Sequence, residues 1–571
     1  MHSDDVSHPS RRSILGVAGA TLATPLLGAR STLPPVSRLD TLAASSTASG
    51  EQAVGAQRGG HAGAGDTRPL DARAIGVVGD GRADDTRAVQ ALLDQCAAEG
   101  GRIARFGTMT VRITGPLKSR SVGIVFDPAS YGGASAPGFV VSGSNYTALT
   151  VVGSVADFCV TLTGDDGVDI ADSGTIAGDR RPRIDGIAFG TDDEPFALST
   201  VRSVRVNNLA GCGVRHAQCW DSTFLSVSVE RCGRDDRYAF EIAGDARRSC
   251  NETTWARIHV EQAIGGSIRI DPGTLSCSFV KIHSERSIAR PSLPTWLLAG
   301  SCVYDSVRLT ATDPKVATVA VVGNQTELRN LRAEGGIRVT VDASGGTINF
   351  HNPGAVLQPA PNQNGIVNII GGVVSVLALG GGWNLIGADV DQLEVGFMSP
   401  GHSARLTGCT VNVLRPQAGS QHGEVILSGT RVAAGSITGA GRLRGLHLRD
   451  NSSLAAKDGS LACTEQLVVI DPSSQIQGDV VLQRTSLRLA GSITGNLTVR
   501  GPVHDARADD GAWVGGTVEG WGPPSIAAKP GAWSVNLATA GDRQPKGARE
   551  AVAGWRFLAD GWRAIRVKIE G

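Results

Sequence analysis

The feature that most constrains this chain is a repeat. Six segments, VRVNN (204–208), FLSVSVERCG (224–233), WARIHVEQAI (255–264), FVKIHSERSI (279–288), YDSVRLTATD (304–313) and LRNLRAEGGI (328–337), align so that Asn207, Glu230, Glu261, Glu285, Thr310 and Glu334 coincide. The intervals are 23, 31, 24, 25 and 24 residues. Each segment alternates apolar and polar residues, the period of a strand with one buried face. Such a unit cannot bury its apolar face alone and must stack on its neighbours. The chain is therefore expected to be all-β and to wind as a solenoid, with a longer loop in the 31-residue interval. Val227 and Val229, Ile258 and Val260, Ile282 and Ser284, Val307 and Leu309, and Leu331 and Ala333 are expected to point inward.

Upstream, the stretch DARAIGVVGDGRADDTRAVQALLDQCAAEGGRIARFGTMTVRITGPL runs from Asp71 to Leu117. Gly79-Asp80-Gly81 signals a turn. Val89, Leu92, Leu93 and Cys96 have helical spacing, and Asp84 or Asp85 stands where an N-cap is needed. Gly100-Gly101 ends the helix, and a strand is expected over 103–113. This stretch resembles the opening of the pectate-lyase-like superfamily of right-handed parallel β-helix proteins. Members typically begin with D-x-G-A-x-G-D-G-x-x-D-D-T-x-A-I-Q, a short helix, and G-G-x-V-x-F-P-x-G-x-Y. Gly79-Asp80-Gly81, Asp84-Asp85-Thr86, Ala88-Val89-Gln90 and Gly100-Gly101 match, whereas Gly107-Thr108-Met109 replaces the part after the Phe. The resemblance implies a right-handed parallel β-helix with a short N-terminal capping helix. Superfamily members include lyases, hydrolases, epimerases and phage tailspikes, so the chemistry stays open. Asp84 and Asp85 are expected to be structural, as caps of the helix.

The outward-facing residues of the six segments fall into three columns. Ser226, Arg257, Lys281, Ser306 and Asn330 form the first, and Ser228, His259, His283, Arg308 and Arg332 the second. Glu230, Glu261, Glu285, Thr310 and Glu334 form the third. Coils stacked ~4.8 Å apart turn these columns into a ladder of basic groups beside carboxylates. The plain account is a solvated strand face with mutually compensating charges. Exposed ion pairs contribute only ~0–1 kcal/mol, however, and like charges this close repel. The functional account is a groove for a polysaccharide, with carboxylates accepting from sugar hydroxyls and cations holding uronate groups.

Two chemistries suit that groove. Hydrolysis needs two carboxylates flanking the bond, ~5–5.5 Å apart for retention and ~6.5–9.5 Å for inversion. Glu261 and Glu285, on adjacent coils, are the expected pair, extended by Glu230 or Glu334. β-Elimination needs a base for the C5 proton of a uronate and a cation on its carboxylate. His259, His283, Lys281 or Arg308 suit the first task, and Ca²⁺ or Arg the second. The basic column favours the lyase. The candidate catalytic residues are thus His259, Glu261, His283 and Glu285. Glu230, Arg257, Lys281, Arg308, Arg332 and Glu334 are expected to bind substrate; no metal is assigned, and Ca²⁺ is left open although no acidic trio aligns on the coils as in pectate lyases. The G-H-G and R-x-K motifs of polygalacturonases do not follow Asp165-Asp166 or Asp235-Asp236, which weighs against that mechanism. Asp235-Asp236 reads as a turn. The rival class is a non-catalytic carbohydrate-binding or surface-structural β-helix.

The remaining regions bear on compartment and boundaries. Residues 1–30 carry Ser10-Arg11-Arg12-Ser13-Ile14-Leu15 before an apolar run from Gly16 to Leu27, resembling a twin-arginine export signal. The alternative, an uncleaved anchor, needs ~20 apolar residues. An exported protein without a membrane span after signal removal is therefore expected, with 31–68 as a flexible leader. The main coils occupy 69–335, and narrower, Gly-rich coils occupy 336–510. The segment 511–571 holds five of nine Trp and is expected to be a small β-module closing the open edge, with sugar stacking on Trp as the alternative. The ten Cys lack any C-x-x-C and are expected to be mostly buried thiols rather than disulfides or zinc ligands. Lys plus Arg and Asp plus Glu both total 54, so no global field draws the protein to nucleic acid. A homotrimer, as in tailspikes, is left open.

Overall fold

The computed structural model describes residues 68–571 except 128–136, 166–178, 235, 245–248, 291–292, 344, 362–364, 381, 396–402, 417–423, 436–443 and 465–466, and, from 501 onward, all but six strands between 506 and 568. The expected export signal, and the leader up to residue 67, lie outside the described residues. The rest is the expected parallel β-helix. Helix α1 (Thr86–Ala98) buries Val89, Leu92, Leu93 and Cys96 against the first coils. The two aspartates divide their work. Asp85 takes the N-cap position but turns its carboxylate onto the amides of Val78 and Gly79, both at 2.9 Å. Asp84 accepts from the Thr86 amide at 3.1 Å and from the hydroxyls of Thr86 and Thr114. Both residues are structural. Gly79 has φ +67°, and the Met109 side chain fills the space a Cβ would need. The strand expected over 103–113 is two strands, Ile103–Gly107 and Thr110–Ile113, because the chain turns a corner of the coil between them.

Six strands stack in the register given by the sequence columns. They are β1 (Thr200–Asn207), β2 (Val227–Glu230), β3 (Ile258–Glu261), β4 (Ile282–Ser287), β5 (Val307–Ala311) and β6 (Arg332–Ala333), all parallel. Ser228, His259, His283, Arg308 and Arg332 are successive partners, as are Glu230, Glu261 and Glu285. The ten residues expected to face inward are all buried. Each coil between β3 and β6 has two further strands in their own parallel ladders, for example Gly266–Ile270 and Leu275–Phe279, and the coil between β2 and β3 has three. The β1–β6 ladder stops at Arg332–Ala333, where Glu334–Gly336 forms a turn with Gly335 at φ +75°.

Beyond that point the coils tighten. The inward column Leu328, Phe350, Ile369, Leu385, Leu406, Leu427 advances by 22, 19, 16, 21 and 21 residues per coil. Among the described residues, the C-terminal strands Trp533–Val535, Glu550–Leu558 and Gly561–Lys568 pair antiparallel instead. All ten cysteines are free thiols, and nine are buried.

An aromatic spine fills the wide coils. Phe224, Trp255, Phe279 and Tyr304 occupy one inward column and stack face to face, with centroids 5.5, 4.8 and 4.8 Å apart and planes within 8°. Stacking at one-coil spacing satisfies the offset geometry that aromatic pairs prefer while filling the core. His216 is fully buried in the same cluster, against Phe189, Phe224, Phe240 and Trp255, and neither ring nitrogen has a hydrogen-bond partner. Burial holds its pKa down at about 3, so it stays neutral in the fold.

Two outcomes follow from this core. Trp255→Ala leaves a cavity in the middle of the spine and is expected to cost ~3–5 kcal/mol by denaturant unfolding. The unfolded chain protonates His216 below its ordinary pKa of ~6.5, whereas the folded chain does so only near 3. Its contribution is therefore complete above ~6.5 and is lost as the pH falls from there toward 3. His216→Leu is expected to flatten the fall in unfolding free energy between neutral and mildly acid pH.

Candidate functional site

The outward face of β2–β5 gathers the residues expected to do chemistry. Parallel pairing makes His259 and His283 direct neighbours, and their rings stack with centroids 5.3 Å apart at 24°. Glu285 lies two residues beyond His283 on the same face and turns its carboxylate toward the Nε2 edges of both rings. His259 Nε2 is 3.2 Å from Glu285 Oε1, and His283 Nε2 is 3.8 Å from Glu285 Oε2. The three side chains are half-buried. Burial, outweighing the attraction of Glu285, lowers the pKa of His283; His259, Arg308 and Lys281 push the same way.

Glu261 pairs in register with Glu285, yet the two carboxylates are engaged differently. Glu261 is taken by the guanidinium of Arg286. Arg286 has φ +52°, at a corner where Asn208, Arg231 and Gln262 are likewise left-handed on successive coils. A non-glycine residue in that conformation costs ~1–2 kcal/mol. Here the cost comes with a bulge, since the register slips between Ser284 and Ser287. The bulge brings the Arg286 amide to the Thr310 hydroxyl at 3.3 Å.

The strand beneath is pinned from inside. Ser284, between His283 and Glu285, points into the core. Its Oγ meets the Ser267 hydroxyl at 2.7 Å and the Ser287 hydroxyl at 3.1 Å, and accepts from Trp296 Nε1 at 2.9 Å. A buried polar group so fully matched fixes the strand that presents the two outward residues.

The other expected residues flank this cluster. Glu230 pairs with Arg205 at 3.4 Å and Arg231 at 3.7 Å. Arg257 and Lys281 are exposed on adjacent coils, where β3 and β4 begin. Arg308 forks onto Glu334, at 2.7 and 3.4 Å. Arg332 is turned away from the cluster and donates to the carbonyl of Asn352 at 2.9 Å. His259, Glu261, His283 and Glu285 thus lie together on two adjacent strands, whereas Arg308 with Glu334, and Arg332, lie toward the end of the ladder.

Reading the sequence by columns did not single out Arg205 or Arg286. Arg205 is the register partner of Ser228 and would have come from extending the second column up one coil. Arg286 sits at a corner, where alternation gives no signal. Also unexpected is a pair of adjoining hollows of about 330 and 400 Å³ past the corner, sharing Arg183 and Arg234. Tyr146 and Arg237 line the first. Arg181 lines the second, where it is buried and bonded to Asp179 and to the carbonyls of Leu209, Arg231 and Gly233.

A metal can be held at one place on this face. Donor atoms of His259, His283 and Glu285 lie within 4.8 Å of one another. Two imidazoles and one carboxylate do not suit Ca²⁺, which takes six to eight oxygen ligands. Among the described residues, no helix is long and apolar enough to cross a membrane.

No protein-family model matches the chain, and no curated protein matches it. Among solved structures it is similar to ORF18 of Geobacillus virus E2, at 14% identity and a TM-score of 0.33; the chain spans 61% of that protein's length, and the match covers 61% of this chain. It is also similar to the A-modules of the mannuronan C-5 epimerases AlgE6 and AlgE4 of Azotobacter vinelandii, each at 13% identity and a TM-score of 0.21. These matches cover 79% and 80% of this chain and 100% and 99% of the modules. No activity is carried over from them.

Ser284→Ala removes the acceptor of the buried Trp296 N–H. It is expected to cost ~1–3 kcal/mol in denaturant unfolding, although it alters no outward group.

Proposed function

We propose that this chain is an exported β-helix protein that acts on an extracellular or cell-wall polysaccharide, cleaving a uronate-containing glycan by β-elimination. One observation carries the reading: two stacked imidazoles closed by a carboxylate, on an outward strand face with cations on either side. A uronate lying along the ladder would set its carboxylate against Arg257 or Arg308, whose planar guanidinium can bind it bidentately. That neutralisation makes the C5 proton acidic enough to remove. His259, His283 and Lys281 are the groups in reach that can take it. When it leaves, its electron pair forms the C4–C5 double bond, the C4–O bond breaks, and the departing oxygen takes up a proton. Glu285 orients the imidazoles and offsets positive charge on whichever ring gains a proton, as a carboxylate does behind a catalytic histidine. The twin-arginine-like segment at 11–12 supports an extracytoplasmic place for the reaction.

A glycoside hydrolase is the second reading, supported by the register of Glu261 with Glu285. A non-catalytic carbohydrate-binding face is the third. The pairing of Arg205 with Glu230, Arg286 with Glu261 and Arg308 with Glu334 is what a mutually compensated surface requires.

Incubation with a panel of uronate polysaccharides separates the three. A lyase yields the ultraviolet chromophore of an unsaturated uronate. A hydrolase yields reducing ends without it, and a binding protein retards the polymer on a native gel and yields neither. For the lyase, His283→Ala and Glu285→Ala are expected to lower turnover by ~10²–10⁴-fold with little change in melting temperature. Full activity in either variant would remove these residues from the reaction.

A further inference from the structure

We infer that His259, His283 and Glu285 form a binding site for a divalent transition ion of the Zn²⁺, Co²⁺ or Fe²⁺ kind, and that Ca²⁺ is not its ion. This deepens the reading of the same face, and it rests on that reading only for what the ion would do.

The geometry comes first. Two bonds of ~2.1 Å meeting at a tetrahedral angle hold their donors ~3.4 Å apart. His259 Nε2 lies 3.2 Å from Glu285 Oε1 and His283 Nε2 lies 3.8 Å from Oε2, on either side of that value, and one donor atom from each of the three residues lies within 4.8 Å of the other two, so small rotations of the rings and carboxylate close the set on an ion. All three residues project from one half-buried face, so the remaining coordination positions open outward. Three protein ligands with an open position are the arrangement of a reactive rather than a purely structural ion.

The chemistry of the donors comes second. Two nitrogens and a single oxygen select a borderline ion over a hard one. Glu261, the other carboxylate in register, is occupied by Arg286, so the site is not enriched in oxygen from that side. The ligands carry one negative charge, and a divalent ion leaves the site net positive. Arg308 and Lys281 lie near His283 and oppose a cation. Arg308 is offset by its fork onto Glu334, and Lys281 is exposed to solvent, where its field is screened.

The backbone comes third. The ligands sit on paired strands of a rigid solenoid, not on loops. The bulge at Arg286 and the buried contacts of Ser284 fix the strand that supplies two of the three. With the ion in place, both imidazoles are spent on it and neither remains as the proton acceptor. The open positions then face a uronate carboxylate.

The test uses the full chain, stripped with a chelator and titrated with Co²⁺ and Zn²⁺ by calorimetry and visible absorption. The expected result is one ion per chain, with cobalt d–d bands and no thiolate charge-transfer band, which keeps the ten cysteines out of the account. His283→Ala and Glu285→Gln are expected to weaken binding by more than ~100-fold, since loss of even an outer-shell partner costs 10–100-fold. Their melting temperatures without metal should match that of the parent chain. Unchanged binding in both variants overturns the inference, as does affinity no greater than that of a His259→Ala, His283→Ala double variant, or displacement by equimolar Ca²⁺. The two readings fail separately. A protein that binds Co²⁺ at this site but cleaves no uronate keeps the ion and loses the lyase. One that cleaves a uronate but binds neither Co²⁺ nor Zn²⁺ at this site keeps the lyase and loses the ion.

Discussion

Everything on the candidate face depends on parallel strands pairing in strict register. Residues one coil apart become neighbours at the inter-strand spacing of ~4.8 Å, whatever lies in the loops between them. His259 and His283 are 24 positions apart in the chain and adjacent in space for this reason alone. The same pairing stacks Phe224, Trp255, Phe279 and Tyr304 inside. A one-residue slip would move every one of these side chains to the opposite face. The apolar column thus prevents the polar one from slipping, and the interior acts as the register lock for the exterior.

The ladder is not uniform along its length, and the differences follow from local chemistry. At the first coils each carboxylate meets an arginine beside it. In the middle, where His replaces Ser in the second column, the carboxylate of Glu285 turns to the imidazoles, and the arginine at the next position takes Glu261 instead. Toward the end, the second column becomes arginine, and Glu334 is drawn to Arg308. Only the middle pair of coils combines groups able to accept a proton or a metal with a carboxylate that is not already held by a guanidinium.

The period-two alternation made the strands, their inward residues and their columns legible in the sequence. Alternation is a property of single strands, and the repeat interval converts it into pairing. Helix α1 was legible from Val89, Leu92, Leu93 and Cys96. What alternation cannot encode is the direction a side chain takes once it leaves the face. Glu261 and Glu285 occupy equivalent places in the repeat, each followed by a left-handed corner, and they differ because the coil before Glu285 offers His259 where the coil before Glu261 offers Ser228, and because Arg286 reaches back to Glu261. His216 was missed for a related reason. It occupies an inward position of a strand only three residues long, Val214–His216, too short for its period to stand out.

The ladder ends at Arg332 on one side and continues past β1 on the other, through the strands Phe158–Gly164, Gly138–Val141 and Thr110–Ile113. From β1 to β6 it measures ~24 Å along the axis, five steps of one inter-strand spacing. At the Gly335–Gly336 corner the supporting strand is gone, and the coils that follow, as far as Gln483, have two strands each. His283 stands two strands short of that end and His259 three, so the longer run of strand face lies on the side of His259.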